Sequence, residues 1–245
     1  MINLNKYTYN YFLFLFSLIP LSIVAGSAVS FINILLIDLS FIILLVYNKN
    51  FSFLKNKTIK YFLILYIYLI FNSLISIDYS ENFLRNFGFL RIIILFVAFN
   101  YFYYQKFFFK KMFKSWLLIL LIVIFDVFIE FFYGKNIFGY DVSGHGNAKR
   151  IVSFFKDEPV VGGFIYAFFL ILTGFFLNQK KKNKPYVFFT IILFFTSILV
   201  TTERSTGIKA LIGITIFFLL YKEINLKSKI LSFFLFFLVI FVFLI

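Results

Sequence analysis

Long apolar runs separated by short lysine-bearing gaps fill almost the whole chain. The runs lie at Tyr7–Gly26, Ser27–Tyr47, Ile59–Ile77, Phe87–Tyr104, Trp116–Tyr133, Val160–Leu177, Tyr186–Thr202, Thr206–Tyr221 and Ile230–Ile245. Roughly 17–25 apolar residues cross the hydrocarbon of a bilayer as a helix. A backbone in lipid must satisfy its own polar groups, so only helices and closed barrels span. None of the runs alternates apolar with polar residues as a barrel strand does. The pattern predicts an all-α, polytopic transmembrane helix bundle of about nine spans. It reads as one membrane domain over residues 1–245, with one substantial outer loop at 134–159.

Both ends of the pattern carry signals. Ala25-Gly26-Ser27-Ala28 offers the small residues of a leader-peptide cleavage site. The preceding run is long and a second follows at once, so the reading is a span. The last run stops at Ile245 with no polar flank, as expected of a chain cut short.

Composition agrees with a lipid solvent. Hydrophobic residues make up 62% of the chain and charged residues 14%, against about half and a quarter in soluble domains. The 43 Phe read as bulk lipid-facing mass, not as an aromatic binding device. With no Cys and one His, disulfides, thiolate nucleophiles and Cys- or His-rich metal sites are excluded.

The net charge of +14 would suggest nucleic acid in a soluble protein. Its placement points instead to topology. With the N-terminus inside, the inner loops hold Lys6; Lys49, Lys55, Lys57 and Lys60; Lys106, Lys110, Lys111 and Lys114; Lys180, Lys181, Lys182 and Lys184; and Lys222, Lys227 and Lys229. Every Arg falls outside or within a span, and of ten acidic residues only Glu223 lies inside. The positive-inside rule therefore predicts a cytoplasmic N-terminus, with the lysines meeting anionic lipid.

Charged groups inside spans usually face a bundle interior or cavity. Asp38 lies near the middle of the second run, Arg91 about a turn inside the fourth, and Lys209 just inside the eighth. Asp126 and Glu130, four apart, share a helix face. Structural pairing, Asp38 with Arg91 or Glu130 with Lys209, is as plausible as function; Glu130, near its helix end, is also placed to reach water. In the outer loop, Asp157 and Glu158 precede Pro159, which suits a helix start. Lys149, Arg150 and Lys156 bring positive charge to the membrane surface. The tight turn Thr201-Thr202-Glu203-Arg204-Ser205-Thr206 places hydroxyls beside a guanidinium whose fork suits phosphate oxygens.

Four segments carry a family likeness: Leu18–Ala28; Asp126–Tyr140; Arg150–Glu158 followed by Gly162-Gly163; and Thr202-Glu203-Arg204-Ser205-Thr206. In this order, on a helical scaffold, the chain resembles the bacterial O-antigen ligase and O-antigen polymerase family of membrane glycosyltransferases. The resemblance implies an inner-membrane enzyme that takes a glycan from an undecaprenyl diphosphate carrier at the outer face. The implied acceptor is another glycan or lipid A-core, and the enzyme uses neither metal nor cofactor. Developing charge on the diphosphate then needs cations: Arg204, matching the family's Arg at this helix end, with Arg150, Arg91, Lys156 and Lys209 as further candidates. Glu158 or Asp157 would act as base or orient the acceptor hydroxyl. The family continues into a large outer loop bearing an essential His and another Arg, then further helices. This sequence ends before that loop, and His145 does not match the position. The expectation is a fragment or a truncated copy. A lone loop His is more often solvated than catalytic.

Two other functions fit a polytopic chain. A transporter of a polar lipid or small solute would favour helices broken in mid-membrane, and Pro20 is the one proline within a run. A non-catalytic partner for envelope-glycan assembly would bind a lipid diphosphate without transfer.

The orientation is testable with reporters. Alkaline phosphatase fused within 134–159 should be active, and fused near Lys181 inactive. The reverse pattern would overturn the topology.

Overall fold

In a computed structural model of the chain, residues 5–49, 56–103, 105, 107–140, 143–145, 148–156, 158, 160–178 and 184–220 are described. In order, the helices are α1 (Lys6–Ser17), α2 (Ile19–Ala25), α3 (Ser27–Asn48), α4 (Lys57–Leu74), α5 (Tyr79–Gly88), α6 (Leu90–Tyr103) and α7 (Phe108–Tyr133). Two short strands follow, β1 (Ser143–His145) and β2 (Ala148–Arg150), and then a 3-10 turn at Ser153–Phe155. The chain continues with α8 (Val161–Asn178), α9 (Lys184–Val200) and α10 (Arg204–Leu220). Four helical stretches are long and apolar enough to cross a membrane: Ser27–Asn48, Lys57–Leu74, Tyr79–Tyr103 and Phe108–Tyr133. The pair α1 and α2, bent by 43°, makes a fifth if it counts as one broken span. Helices α8 and α9 contain the shorter apolar stretches Val161–Phe176 and Phe189–Val200. The protein is therefore a largely helical, membrane-embedded chain; the run at Ile230–Ile245 lies outside the described residues.

Several boundaries differ from the hydrophobic pattern. Helix α7 begins eight residues before Trp116, so Lys110, Lys111 and Lys114 ride on its first turns and do not form a loop. Their long stems can run along the helix while the ammonium groups stay in water. The fourth run is preceded by polar α5, whose Asn82 and Asn86 amides reach Ser76 Oγ (2.6 Å) and the Leu69 carbonyl (3.0 Å). Three-residue strands are too short to register as alternation; β1 and β2 pair antiparallel, Ser143 opposite Arg150.

The chain divides into two compact units, Met1–Trp116 and Leu117–Ile245, with the break inside α7. In the first unit α3 packs against α1, α2 and α6. Its core is aromatic. Phe102 meets Phe12 and Phe108 at 4.7 Å each, and Phe16 meets Phe99 at 4.6 Å. Phe12, Phe16, Phe41, Phe102 and Phe108 are fully buried, so part of the phenylalanine excess is packing and not lipid-facing mass. Aromatic pairs at such separations add to burial through edge-to-face and offset contacts.

The α1–α2 bend has an identifiable cause. Pro20 has no N–H to give the Phe16 carbonyl four residues back. The Trp116 indole Nε1 supplies that bond at 2.8 Å. Next to it, Asn33 Nδ2 of α3 donates to the Leu15 carbonyl (3.3 Å) and to Ser22 Oγ (3.4 Å). Side chains from two other helices thus close the gap in the broken span.

In the second unit α8, α9 and α10 pack against one another. A Cβ on Gly213 would come 3.0 Å from Leu170 Cδ1, so α8 and α10 approach closely there. Small residues at such crossings let helix backbones pack tightly in lipid.

Trp116→Phe should destabilise the first unit by about 1–3 kcal/mol, the cost of a buried acceptor left unpaired. Adding Pro20→Ala returns an N–H to the Phe16 carbonyl and should recover part of the loss. Thermal unfolding in detergent would read both; equal melting temperatures for Trp116→Phe and wild type would rule out the bond as a stabilising contact.

Candidate functional site

Helix α7 ends on Gly134, whose N–H bonds the Glu130 carbonyl at 2.8 Å and whose φ is +75°. That left-handed conformation is one glycine adopts freely at a helix end. The chain then turns back over the last helical turns. Asp126 and Glu130, both fully buried, receive it. Asp126 Oδ1 accepts the Ile137 N–H (2.9 Å) and Oδ2 accepts the Ser153 hydroxyl (2.5 Å). Glu130 accepts the N–H groups of Val152 (3.0 Å) and Ser153 (2.6 Å), one on each oxygen. Asn136 completes the clasp: its Oδ1 accepts from Phe138 and Tyr140 N–H, and its Nδ2 donates to the Ser153 carbonyl at 2.6 Å. Ser153 is thereby held through N–H, carbonyl and hydroxyl in a left-handed conformation, φ +50°. A non-glycine residue keeps such a backbone only when its surroundings over-determine it.

A second clasp joins α10 to α8. The Glu203 carboxylate accepts the N–H groups of Gly162 (2.8 Å) and Gly163 (3.1 Å) at the start of α8, and the Thr206 hydroxyl (2.8 Å). These N–H groups have no partner within their own helix, and a carboxylate there also meets the positive end of the helix dipole. Gly162 is required by space. A Cβ on it would stand 2.5 Å from Thr201 Oγ1 and 2.9 Å from Glu203 Cδ.

The residues expected to form a site fall around these clasps. Arg150 is exposed at the end of β2, Lys156 is exposed with φ +58°, and Glu158 is exposed just before α8. Arg204 is the first residue of α10, and Lys209 lies five residues further along it; both are exposed. Asp157 lies outside the described residues. The Glu203 clasp brings the Arg204 turn to the start of α8, which directly follows Lys156 and Glu158. The 3-10 turn also packs on α8, with Phe155 and Phe164 rings 5.3 Å apart. Arg91 belongs to the first unit, where its guanidinium lies 4.9 Å over the Phe31 ring. His145 is in β1.

One expected pairing is replaced. Glu130 neither reaches water nor pairs with Lys209, because two backbone N–H groups occupy its oxygens. The Arg91 charge does act on Asp38, though no hydrogen bond joins them. At the start of α8 the N–H groups of Gly162 and Gly163 are bonded by Glu203, 41 residues away from Gly162. Among the described residues no cluster of three His, Asp or Glu side chains is arranged to hold a metal ion.

Chemically, Asp126, Glu130 and Glu203 hold backbone, while Arg150, Lys156, Arg204 and Lys209 are exposed. Such an array suits an anionic group of several oxygens. Comparison with protein-family models, with curated proteins and with solved structures gave no match.

Glu130→Ala strands two buried N–H groups, at about 1–3 kcal/mol each. Trypsin should then cleave at Lys149, Arg150 and Lys156 faster than in wild type, with Glu130→Gln intermediate. Gly162→Ala should lower the melting temperature by forcing Thr201 or Glu203 aside, an overpacking cost of about 1–3 kcal/mol. Unchanged cleavage or melting would show that the clasp concerned does not hold the loop or turn.

Proposed function

We propose that this chain is a bacterial inner-membrane glycosyltransferase of the O-antigen ligase or polymerase kind. In this reading it has about nine spans and a cytoplasmic N-terminus. Its donor is a glycan on undecaprenyl diphosphate, presented at the outer face. The reading rests on one observation above all: Glu203 holds the Arg204 turn against the start of α8, next to the segment carrying Arg150, Lys156 and Glu158. Cations are thereby gathered at one end of the second unit.

The chemistry follows from that grouping. An acceptor hydroxyl, on a glycan or on lipid A-core, attacks the anomeric carbon of the donor sugar. The new C–O bond forms as the bond to the diphosphate breaks, and the diphosphate leaves with the electron pair. Glu158 takes the hydroxyl proton or orients the hydroxyl. Arg204, with Arg150, Lys156 and Lys209, stabilises the charge that grows on the leaving group. Membrane lipid surrounds the apolar helices and delivers the carrier laterally.

A second reading, a transporter of a polar lipid, draws on the 43° break between α1 and α2. Broken helices line substrate sites in many transporters. The break here is closed by Trp116 and Asn33, which gives a ligand no free carbonyl at those positions.

Binding separates these readings. The purified chain in nanodiscs should bind undecaprenyl diphosphate, and Arg204→Ala should weaken binding about 10-fold, the lower range for losing a charge-assisted hydrogen bond. Arg204→Lys should recover part of this, since the charge stays but the fork is lost. Affinity unchanged in Arg204→Ala would remove the diphosphate site. Carrier flipping in proteoliposomes without glycan transfer would favour the transporter.

A further inference from the structure

Asp38 is the twelfth of the 22 residues of α3. At about 1.5 Å per residue, roughly 15 Å of apolar helix lies on either side. The side chain is 3% exposed. Among the described residues neither carboxyl oxygen has a hydrogen-bond partner. This sets it apart from Asp126, Glu130 and Glu203, whose oxygens all accept hydrogen bonds.

The one counter-charge recorded acting on Asp38 from the elements packed on α3 is Arg91 of α6, which does so without a hydrogen bond. Helix α2 has no titratable residue. Helix α1 brings Tyr11, whose hydroxyl is engaged with Ser40 Oγ at 2.9 Å. Helix α6 brings Arg91 and Tyr101. Arg91 lies over Phe31, seven residues and about 10 Å of helix rise from Asp38. The Tyr101 ring rests 5.5 Å from Phe41. On α3 the same buried stripe carries Asn33, committed to Leu15 and Ser22, and then Ile37, Phe41 and Leu45. A bare carboxylate in such surroundings is strongly unfavourable, and ionisable residues kept there usually bind or carry something.

We propose that Asp38 is a proton-binding site near the middle of a membrane span. The proton forms an O–H bond on one carboxyl oxygen and removes the charge, without any residue moving to meet it. The site lies in the first unit and does not depend on the glycosyltransferase reading.

Infrared spectroscopy on the full chain in nanodiscs tests the site. A protonated-carboxyl carbonyl band present in wild type and lost in Asp38→Asn is the expected result. No such band in wild type, or a band that Asp38→Asn leaves unchanged, would overturn the site. Asp38→Leu, apolar and of similar size, serves as the comparison should the Asn variant not fold.

Discussion

A backbone N–H or C=O that loses its helical partner inside hydrocarbon has no water to turn to. At three points where this chain leaves regular helix, side chains placed far away in sequence answer that constraint. At Pro20 the freed Phe16 carbonyl takes the indole N–H of Trp116, a hundred residues on. At the end of α7 the returning loop is received by Asp126, Glu130 and Asn136. At the start of α8 the free N–H groups are taken by Glu203. These long-range bonds fix where these helices break and where the segment after α7 lies.

The same bonds decide which charges remain available. A carboxylate with a donor on each oxygen is satisfied and has little left for a ligand. Asp126 and Glu130 are buried in that state, and Glu203 is half-buried in it. Arg150, Lys156, Arg204 and Lys209 take no part in the clasps and are exposed, beside one exposed carboxylate, Glu158. Of the four acids described in this unit, Asp126, Glu130 and Glu203 hold backbone N–H groups, and Glu158 is exposed.

Much of the helical architecture was legible in the hydrophobic pattern, because lipid leaves the backbone so few alternatives. The spans at Ser27–Tyr47 and Ile59–Ile77 correspond to α3 and α4 within a few residues. Starts and breaks were less legible. Lys110, Lys111 and Lys114 read as a loop by charge, yet lysines tolerate the first turns of a helix when their stems run along it. The hairpin of β1 and β2 is too short to show a period. Asp126 and Glu130 were visible as two acids on one face, but their partners, Val152 and Ser153, carry no sequence signature for accepting them. The one available hint for Glu203 was Gly162-Gly163 at a helix start, a pair with room for a close neighbour.

Positioning and charge are therefore supplied by different residues. Glu203 grips α8 through the backbone N–H groups of Gly162 and Gly163, and the Thr206 hydroxyl adds a bond to the same carboxylate within the Arg204 turn. On the other side, Glu130 and Asp126 fix Ser153 in a backbone conformation it would not choose alone, and Lys156 follows three residues later. The 3-10 turn between them packs on α8, which carries the other clasp. Cations mounted this way need little ordering when an anion arrives, and groups fixed in advance stabilise charge better than groups that must first be gathered. That is the physical case for reading this end of the second unit as an anion-receiving site, and for assigning its buried acids to building the site instead of acting in it.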